Sequence, residues 1–238
     1  GPVRPGSLAG EEHRWGELQL NDGDMKGYPN KPYWNPPPGN GYGFLTGPRR
    51  AQPAGNWSAT WRLEGDDQPR FQMLAIHEAG TEVISASAPG LYPHYPKAGY
   101  VIRRRSGDNL SSCFVSLWQT AADSSPFAAR SLEWIGGDEP RTAESSLAFS
   151  VNSGQGWRDI WLVAASPDDE VAGSSEGMPV SLQGAFARCR WDDAGLVSAW
   201  LLEGTELKIG DWTIRLDADG WQTQVETLPD GSPTLRST

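Results

Sequence analysis

Short segments in which apolar and polar residues alternate, each bounded by turn residues, constrain this fold more than any other sequence feature. The clearest pairs are residues 57–63 with 70–76 and residues 185–191 with 196–202, which flank Glu-Gly-Asp-Asp and Asp-Asp-Ala-Gly. No stretch combines a 3.6-residue period with helix-capping residues. The sequence therefore predicts an all-β fold, a large antiparallel β-sandwich with many short strands and hairpins.

The segment 100–118, YVIRRRSGDNLSSCFVSLW, predicts a hairpin whose two strands are joined by a Ser-Gly-Asp-Asn turn. Tyr100 begins the first strand. Cys113, Val115 and Leu117 are expected on one face of the second strand, because successive side chains of a strand alternate between its faces.

Further turns predict that most strands follow one another as hairpins. Residues 70–76 meet residues 81–86 across a His-Glu-Ala-Gly turn, and a turn at Glu203-Gly separates residues 196–202 from 207–209. The other predicted strands are 157–164, 212–216 and 221–227.

Composition divides the chain into three parts. Residues 1–20 form a leading segment, residues 21–43 form a loop rich in Pro, Gly and aromatic residues, and residues 44–238 form the β-sandwich as a single domain. The first two residues, Gly-Pro without Met, are typical of the remnant of a protease cleavage site. We therefore expect the chain to be one domain of a longer protein.

The charge balance argues against nucleic acid as a partner. The formal net charge is −10, whereas phosphate binding needs a positive surface. Residues 1–119 carry 12 Lys and Arg against 11 Asp and Glu, and residues 120–238 carry 8 against 19, which gives net charges of +1 and −11. An anionic ligand is therefore expected in the first half. No apolar run approaches the ~20 residues of a membrane span, so no membrane contact is expected.

The two cysteines, Cys113 and Cys189, lie in strand-like segments. Cys189 alternates with Ala185, Ala187 and Trp191 on a face with buried character. Buried free thiols are the favoured interpretation, since a structural Cys often behaves as a small apolar residue. A disulfide, which would fit an exported protein, stays an alternative.

Five blocks of sequence follow one another in an order that resembles a known family. They are YGFLTGPRR at 42–50, NWSATWRLEG at 56–65, TEVISASAPG at 81–90, YVIRRRSGDNLSSCFVSLW at 100–118, and GAFARCRWDDAGLVSAWLLEGTEL at 184–207. Together they are similar to the C-terminal β-sandwich of heparinase II/III-like polysaccharide lyases. The resemblance covers about three-quarters of the chain, and its blocks are structural rather than catalytic.

The resemblance implies a two-part parent enzyme. An N-terminal helical toroid, covalently linked in the parent, carries most of the catalytic groups, and the β-sandwich closes one side of the cleft. In such lyases a Tyr or His removes the C5 proton of a uronic acid, and the glycosidic oxygen then leaves by β-elimination. The implied partner is an acidic polysaccharide, and the implied location is secreted or periplasmic.

This chain departs from the family where catalytic residues would stand. The family's His-Asp-Tyr-x-x-His segment has His13-Arg14-Trp15 as its nearest equivalent, in which Asp and Tyr are replaced and the second His is missing. We therefore expect no catalytic residue and no zinc site at that segment. His13 and His77 are interpreted as exposed polar residues, and no two histidines have the spacing of metal ligands.

Four residues are weak candidates for catalysis. Tyr92, His94, Tyr95 and Lys97 gather two phenols, an imidazole and an ammonium beside the arginine-rich strand. A lyase needs a base, an acid and a group that neutralises a carboxylate, and these side chains supply all three. The alternative is a Pro-rich loop that uses its Tyr side chains to cover a sheet edge.

Aromatic residues of the Pro-rich loop are candidates for glycan binding. Tyr33, Trp34 and Tyr42 could offer flat apolar faces to the C–H faces of a pyranose ring. Packing of the loop onto the sandwich explains the same residues. Tryptophans in strand patterns, such as Trp57 and Trp61, are interpreted as core residues. Trp161 and Trp200 follow the same pattern.

Three consecutive arginines are the second group of candidates for glycan binding. Arg103 and Arg105 share a side with Val101, whereas Arg104 points to the opposite side. Guanidinium groups suit the carboxylates or sulfates of an acidic glycan. The alternative is a solvated strand end whose arginines form salt bridges to the acidic second half.

Two Asp-rich turns raise the question of a calcium cofactor. Asp192 and Asp193 lie in one turn, and Asp217 and Asp219 lie in the other. Each lacks the spaced oxygen ligands and the terminal Glu of an EF-hand loop, so hairpin turns explain both. We expect no cofactor and no bound metal, with calcium at these turns as the alternative.

The predicted function follows from the resemblance. The chain is expected to be an accessory β-sandwich domain of a polysaccharide lyase that acts on uronic-acid-containing polysaccharide, where it supports the catalytic domain and contacts glycan. The first alternative is an independent carbohydrate-binding module. The second is a self-sufficient β-fold lyase.

Overall fold

The structure, a computed structural model, describes residues 46–62, 68–88, 98–138, 141–216, 222–227 and 233–237; residues 46–48, 88 and the last two ranges are described by their backbone alone. Every regular element in these ranges is a β-strand, which confirms the predicted all-β fold. The strands are β1 Thr46–Ala51, β2 Trp57–Arg62, β3 Arg70–Ala75, β4 Glu82–Ala88, β5 Ala98–Arg104, β6 Ser116–Ala121, β7 Ala129–Gly137, β8 Leu147–Ser153, β9 Arg158–Val163, β10 Glu170–Ser175, β11 Met178–Asp192, β12 Gly195–Ile209, β13 Trp212–Arg215, β14 Gln222–Thr227 and β15 Pro233–Ser237.

The chain divides into two compact units. The first comprises Gly1–Gly55 and His77–Leu110, and the second comprises Asn56–Ile76 and Ser111–Thr238. The interpretation of residues 44–238 as a single domain stays a prediction.

The first unit contains a three-stranded antiparallel sheet in the order β1, β4, β5. Ile84 and Ala86 are buried on one face of β4, and Ser85 between them is exposed on the other face. Glu82 lies opposite Arg104 in the register of β4 and β5. Arg104 therefore shares the face of Ile84, because residues directly opposite each other in an antiparallel pair point to the same side.

The second unit contains two sheets that pack as a sandwich. The smaller sheet has the order β2, β3, β6. Leu74 and Leu117, which lie opposite each other on β3 and β6, contact Leu132 and Val151 of the larger sheet in one apolar cluster. The three antiparallel sheets of the chain are consistent with the predicted β-sandwich.

The larger sheet closes on itself through β10, which pairs with both β7 and β11. Strands β7, β8, β9, β11 and β10 thus form a closed ring. Its interior is filled by apolar side chains that include the fully buried Ile160, Leu162 and Leu182. Each such Leu or Ile contributes about 1.5–3 kcal/mol through its removal from water.

A glycine pair allows the ring to close. Gly136 of β7 lies opposite Gly173 of β10, the one pairing between these strands in the described residues. A Cβ atom on Gly136 would lie 2.2 Å from the carbonyl oxygen of Ala172. The two backbones can approach this closely only because neither residue has a side chain.

The longest hairpin corrects one predicted turn. β11 and β12 pair across Asp192-Asp193-Ala194-Gly195 as predicted, but β12 continues through Glu203-Gly204 without a turn. A Cβ atom on Gly184 would lie 2.3 Å from the Cα of Gly204, which is the residue opposite. The Glu-Gly dipeptide therefore marks a register shift and a close strand approach.

Two predicted hairpins are wrong, although their strands exist. β5 pairs with β4 and β6 pairs with β3, so the two strands of the 100–118 segment belong to different sheets. Cys113 and Val115 precede β6, and the backbone oxygen of Val115 already accepts a bond from Ile76 N. Likewise β3 and β4, joined across the His-Glu-Ala-Gly turn, do not pair. Alternation identifies strands, whereas the choice of partner depends on tertiary packing.

Cys113 and Cys189 are not joined by a disulfide, in agreement with the favoured interpretation. Cys189 is fully buried, and Cys113 is partly buried. Desolvation by burial raises the pKa of the Cys189 thiol, and the Asp159 carboxylate adds to this increase.

Candidate functional site

Three aromatic side chains lie together on the outer face of the smaller sheet. Trp61 of β2 is opposite Phe71 of β3, and Trp118 of β6 is opposite Met73, two residues further along β3. The ring centroids are 5.1 Å apart for Phe71 and Trp118 and 5.9 Å apart for Trp61 and Trp118, with interplanar angles of 25° and 17°. We call Trp61, Phe71 and Trp118 the aromatic row.

The aromatic row is accessible to solvent at Trp118. This side chain is 50% exposed, whereas Met73 beside it is buried. The inward positions of the strand are taken by Leu117 and Gln119, so alternation turns Trp118 away from the larger sheet. A half-exposed tryptophan beside two other rings offers the apolar surface that stacks against the C–H face of a pyranose.

A second group of side chains lies on the large sheet, on the face opposite to the ring interior. Asp159 of β9 is buried and accepts a hydrogen bond from Arg188 Nη2 at 2.7 Å. It also accepts two from Arg190, with Nε at 2.7 Å and Nη2 at 2.8 Å. The Arg188 Cζ lies 5.2 Å from the ring centroid of Trp161, and the Arg190 Cζ lies 4.2 Å from that of Trp157.

We call these five residues the guanidinium cluster. Its two arginines are held by a carboxylate and by aromatic rings, so they have less freedom than ordinary surface arginines. The hydrogen bond to Asp159 raises the pKa of the Arg190 guanidinium, which remains a cation. Two cations and one anion give the cluster a net charge of +1.

The three consecutive arginines take different positions in the first unit. Arg104 Nη2 lies 2.8 Å from Glu82 Oε2, and Arg50 Nε lies 3.6 Å from Glu82 Oε1. Arg103 is opposite Val83 on the other face, as the alternation predicted, and Arg105 follows the end of β5. The salt-bridge alternative placed the acceptor in the acidic second half, whereas the acceptor of Arg104 is Glu82 in the first half.

Most of the other candidates lie outside the described residues, so their roles stay predictions. These are His13, Tyr33, Trp34, Tyr42, Tyr92, His94, Tyr95, Lys97, Asp217 and Asp219. His77 is described and is partly buried, unlike the exposed position that we expected.

Three of the described acidic side chains make local hydrogen bonds or ion pairs. Asp192 Oδ1 accepts a hydrogen bond of 2.8 Å from Ala194 N, which ties its own hairpin turn. A hydrogen bond from Arg158 lowers the pKa of Glu176, and hydrogen bonds from Lys208 and Arg215 lower that of Glu206. In the described part of the chain, no group of three or more His, Cys, Asp or Glu residues is placed to hold a metal ion.

The sequence interpretation missed both groups, although the signals for them exist. Trp61 was assigned to the core, and Trp118 was not selected at all. In SLWQTA, an inward Leu117 implies an outward Trp118. In ARCRW, a buried Cys189 implies that Arg188 and Arg190 lie together on the opposite face.

Comparison with known proteins identifies no relative, since no family model, no curated protein and no solved structure matches this chain. The described residues contain no helix that is long and apolar enough to cross a bilayer.

Proposed function

We propose that this chain is a non-catalytic, polysaccharide-binding β-domain, an accessory part of a polysaccharide lyase that acts on uronic-acid-containing polysaccharide. The observation that carries the binding role is the aromatic row with its half-exposed Trp118. The lyase parent is suggested by the ordered sequence blocks that resemble heparinase II/III-like enzymes. The acidic polysaccharide, the linked helical catalytic domain and the secreted or periplasmic location belong to this proposal.

The size of the aromatic row suits weak binding of one or two sugar rings. A tryptophan buries about 150–250 Å² when it is fully covered, so a half-exposed one offers about 100 Å² to a ligand. At about 25 cal/mol per Å², covering this area yields about 2.5 kcal/mol before the costs of association. A repeating polysaccharide that engages further contacts reaches useful affinity from such weak sites.

One feature of the sequence favours a binding role over catalysis by this chain alone. The family's catalytic segment is replaced at His13-Arg14-Trp15. Sustained formation of unsaturated uronate absorbance from alginate, ulvan or a glycosaminoglycan by the purified chain would contradict the non-catalytic assignment.

Affinity electrophoresis through gels that contain neutral or acidic polysaccharides tests the binding role. We expect retention of the wild-type chain and a loss of at least about tenfold in affinity for Trp118→Ala, since a factor of ten corresponds to about 1.4 kcal/mol, little more than half of the about 2.5 kcal/mol that the covered area yields. Trp118→Phe keeps a ring and should retain most of the binding. Leu110→Ala is the matched control, because Leu110 is an exposed apolar residue of the other unit, at 43%.

Equal retention of wild type and Trp118→Ala would refute a role for the aromatic row. An independent carbohydrate-binding module, the alternative function, should bind as tightly alone as within its parent protein. An accessory domain should bind more weakly alone, because the catalytic domain supplies the rest of the cleft.

A further inference from the structure

We infer that the guanidinium cluster is a second saccharide subsite, which binds an oxyanion substituent, a carboxylate or a sulfate ester, through Arg188 and Arg190. This inference rests on the proposed function, because it names the chemical class of glycan that the domain selects. It places the anion site in the second unit, whereas the charge count of the sequence favoured the first half of the chain.

Asp159 prepares the two guanidinium groups for a ligand. Its carboxylate accepts hydrogen bonds from Nη2 of Arg188 and from both Nε and Nη2 of Arg190. The Arg188 Nε is buried and has no hydrogen-bond partner among the residues that the structure describes, so an uncompensated donor remains at the cluster. The Arg188 and Arg190 side chains are still 30% and 34% exposed, which leaves them accessible from solvent.

The charge of the cluster selects an anion. Two guanidinium groups and one carboxylate leave a charge of +1 in a half of the chain whose net charge is −11. An incoming carboxylate or sulfate neutralises that charge and accepts from a planar guanidinium in fork geometry. Ordinary surface pairs lack this fixed geometry, because both of their side chains move.

Neighbouring residues on β12 fit a saccharide rather than a bare ion. Ser198 lies opposite Arg190, and Trp200 lies opposite Arg188, so both point to the face of the cluster. Each is partly buried. A hydroxyl and an aromatic ring next to two guanidinium groups match the hydroxyls, the ring face and the charged substituent of an acidic sugar.

The guanidinium cluster and the aromatic row belong to different faces. The inner face of the smaller sheet, with Leu74 and Leu117, contacts the larger sheet, so the aromatic row points away from the cluster. The two sites can therefore be tested separately.

The first test uses the wild-type chain and simple anions. Spectra of ¹⁵N-arginine-labelled protein would follow the Nε–Hε resonances while potassium glucuronate or potassium sulfate is added against a potassium chloride reference. We expect saturable shifts of the Arg188 and Arg190 resonances, identified with Arg188→Lys and Arg190→Lys. Shifts with glucuronate alone indicate a carboxylate site, and shifts with sulfate alone indicate a sulfate site. The absence of saturable shifts with both anions would overturn the inference.

The second test uses calorimetry with saccharides. Arg188→Gln should bind oligogalacturonate or a sulfated galactan oligosaccharide about tenfold more weakly than wild type does, with no change for a neutral xylo-oligosaccharide. The matched control is Arg215→Gln, since Arg215 also bonds a carboxylate, Glu206, and is 71% exposed. It should change affinity by less than about twofold. An equal loss in the Arg215 variant would show that general charge, and not the cluster, attracts the ligand.

The two proposals fail in different ways. Trp118→Ala should weaken the binding of neutral and acidic saccharides alike, whereas Arg188→Gln should weaken the binding of acidic saccharides only. If Trp118→Ala changes nothing and the arginine resonances still shift with anions, the aromatic row is refuted and the cluster stands. If Trp118→Ala weakens the binding of all saccharides and no arginine resonance shifts, the binding role of the cluster is refuted and that of the aromatic row stands.

Discussion

Replacement of Asp159 by Asn should destabilise the fold far more than the loss of an exposed acidic side chain. The Asp159 side chain is 6% exposed and accepts three hydrogen bonds from two guanidinium groups. Removal of one partner from a fully buried ion pair costs about 3–5 kcal/mol. Removal of one partner from an exposed ion pair costs about 0–1 kcal/mol. Because the two arginines are about a third exposed, solvent screens part of the loss, and we expect about 2–3 kcal/mol.

Urea unfolding followed by tryptophan fluorescence measures this loss. With a slope of about 2–3 kcal/mol per molar urea, the midpoint should fall by about 1 M. Asn has nearly the same shape as Asp, so the change reports charge and hydrogen bonding rather than a cavity. Glu206→Gln is the matched control, since Glu206 pairs with Lys208 and Arg215 at the surface.

Equal midpoints for wild type and Asp159→Asn would refute the conclusion that this carboxylate holds the two arginines in place. Equal losses in the Asp159 and Glu206 variants would also refute it, because burial would then have no influence. A change in slope together with the midpoint would show that two-state unfolding no longer describes the variant.

Two further predictions concern the fold. Gly136→Ala should lower the free energy of unfolding by about 1–3 kcal/mol and reduce the hydrogen-exchange protection of β10, because a Cβ would lie 2.2 Å from Ala172 O. Gly55→Ala is the control, since no heavy atom of the described residues, apart from its chain neighbours, would lie within 4 Å of the added Cβ, and equal stability of the two variants would contradict the close pairing. The raised pKa of Cys189 favours the protonated thiol in the folded state, so its stabilising contribution is complete below the unfolded value of about 8.5 and decreases as pH rises above it. The urea midpoint of wild type should therefore fall more steeply above about pH 8.5 than that of Cys189→Ala, and parallel curves would contradict the burial of this thiol.

The sequence predicts strands well because alternation is a local property. β2 with β3 and β11 with β12 pair as predicted, since seven residues separate the first pair and two separate the second, too few for another strand between them. The 100–118 segment could not be paired in this way. Residues 105–115 between β5 and β6 form an eleven-residue connection, and a turn with Asn109 at positive φ lies within it. Such a connection is long enough to carry the chain from one sheet to another.

The site residues were harder to predict for a different physical reason. A strand pattern shows that Trp118 and Leu117 face opposite sides, but only the packing of Leu117 against Leu132 decides which side faces the larger sheet. The pattern places Arg188 on the face of β11 that lies away from the buried Cys189 side chain. The carboxylate that binds Arg188 comes from Asp159 of β9, 29 positions away in sequence. Contacts between distant segments are not encoded in any local period.

The two candidate sites share a departure from the usual distribution of side chains in a sheet. Most positions follow the ordinary rule that apolar side chains are covered and charged ones are solvated. Trp118 breaks it with a large exposed aromatic surface, and the guanidinium cluster breaks it with a buried carboxylate and half-buried arginines. A sheet gains little stability from either arrangement, because an exposed ring loses hydrophobic contact and a buried ion pair must recover its desolvation cost. The proposed binding of a sugar ring at the first site, and of an anionic substituent of a different sugar unit at the second, would account for both departures, and Trp118→Ala and Arg188→Gln separate these two contributions.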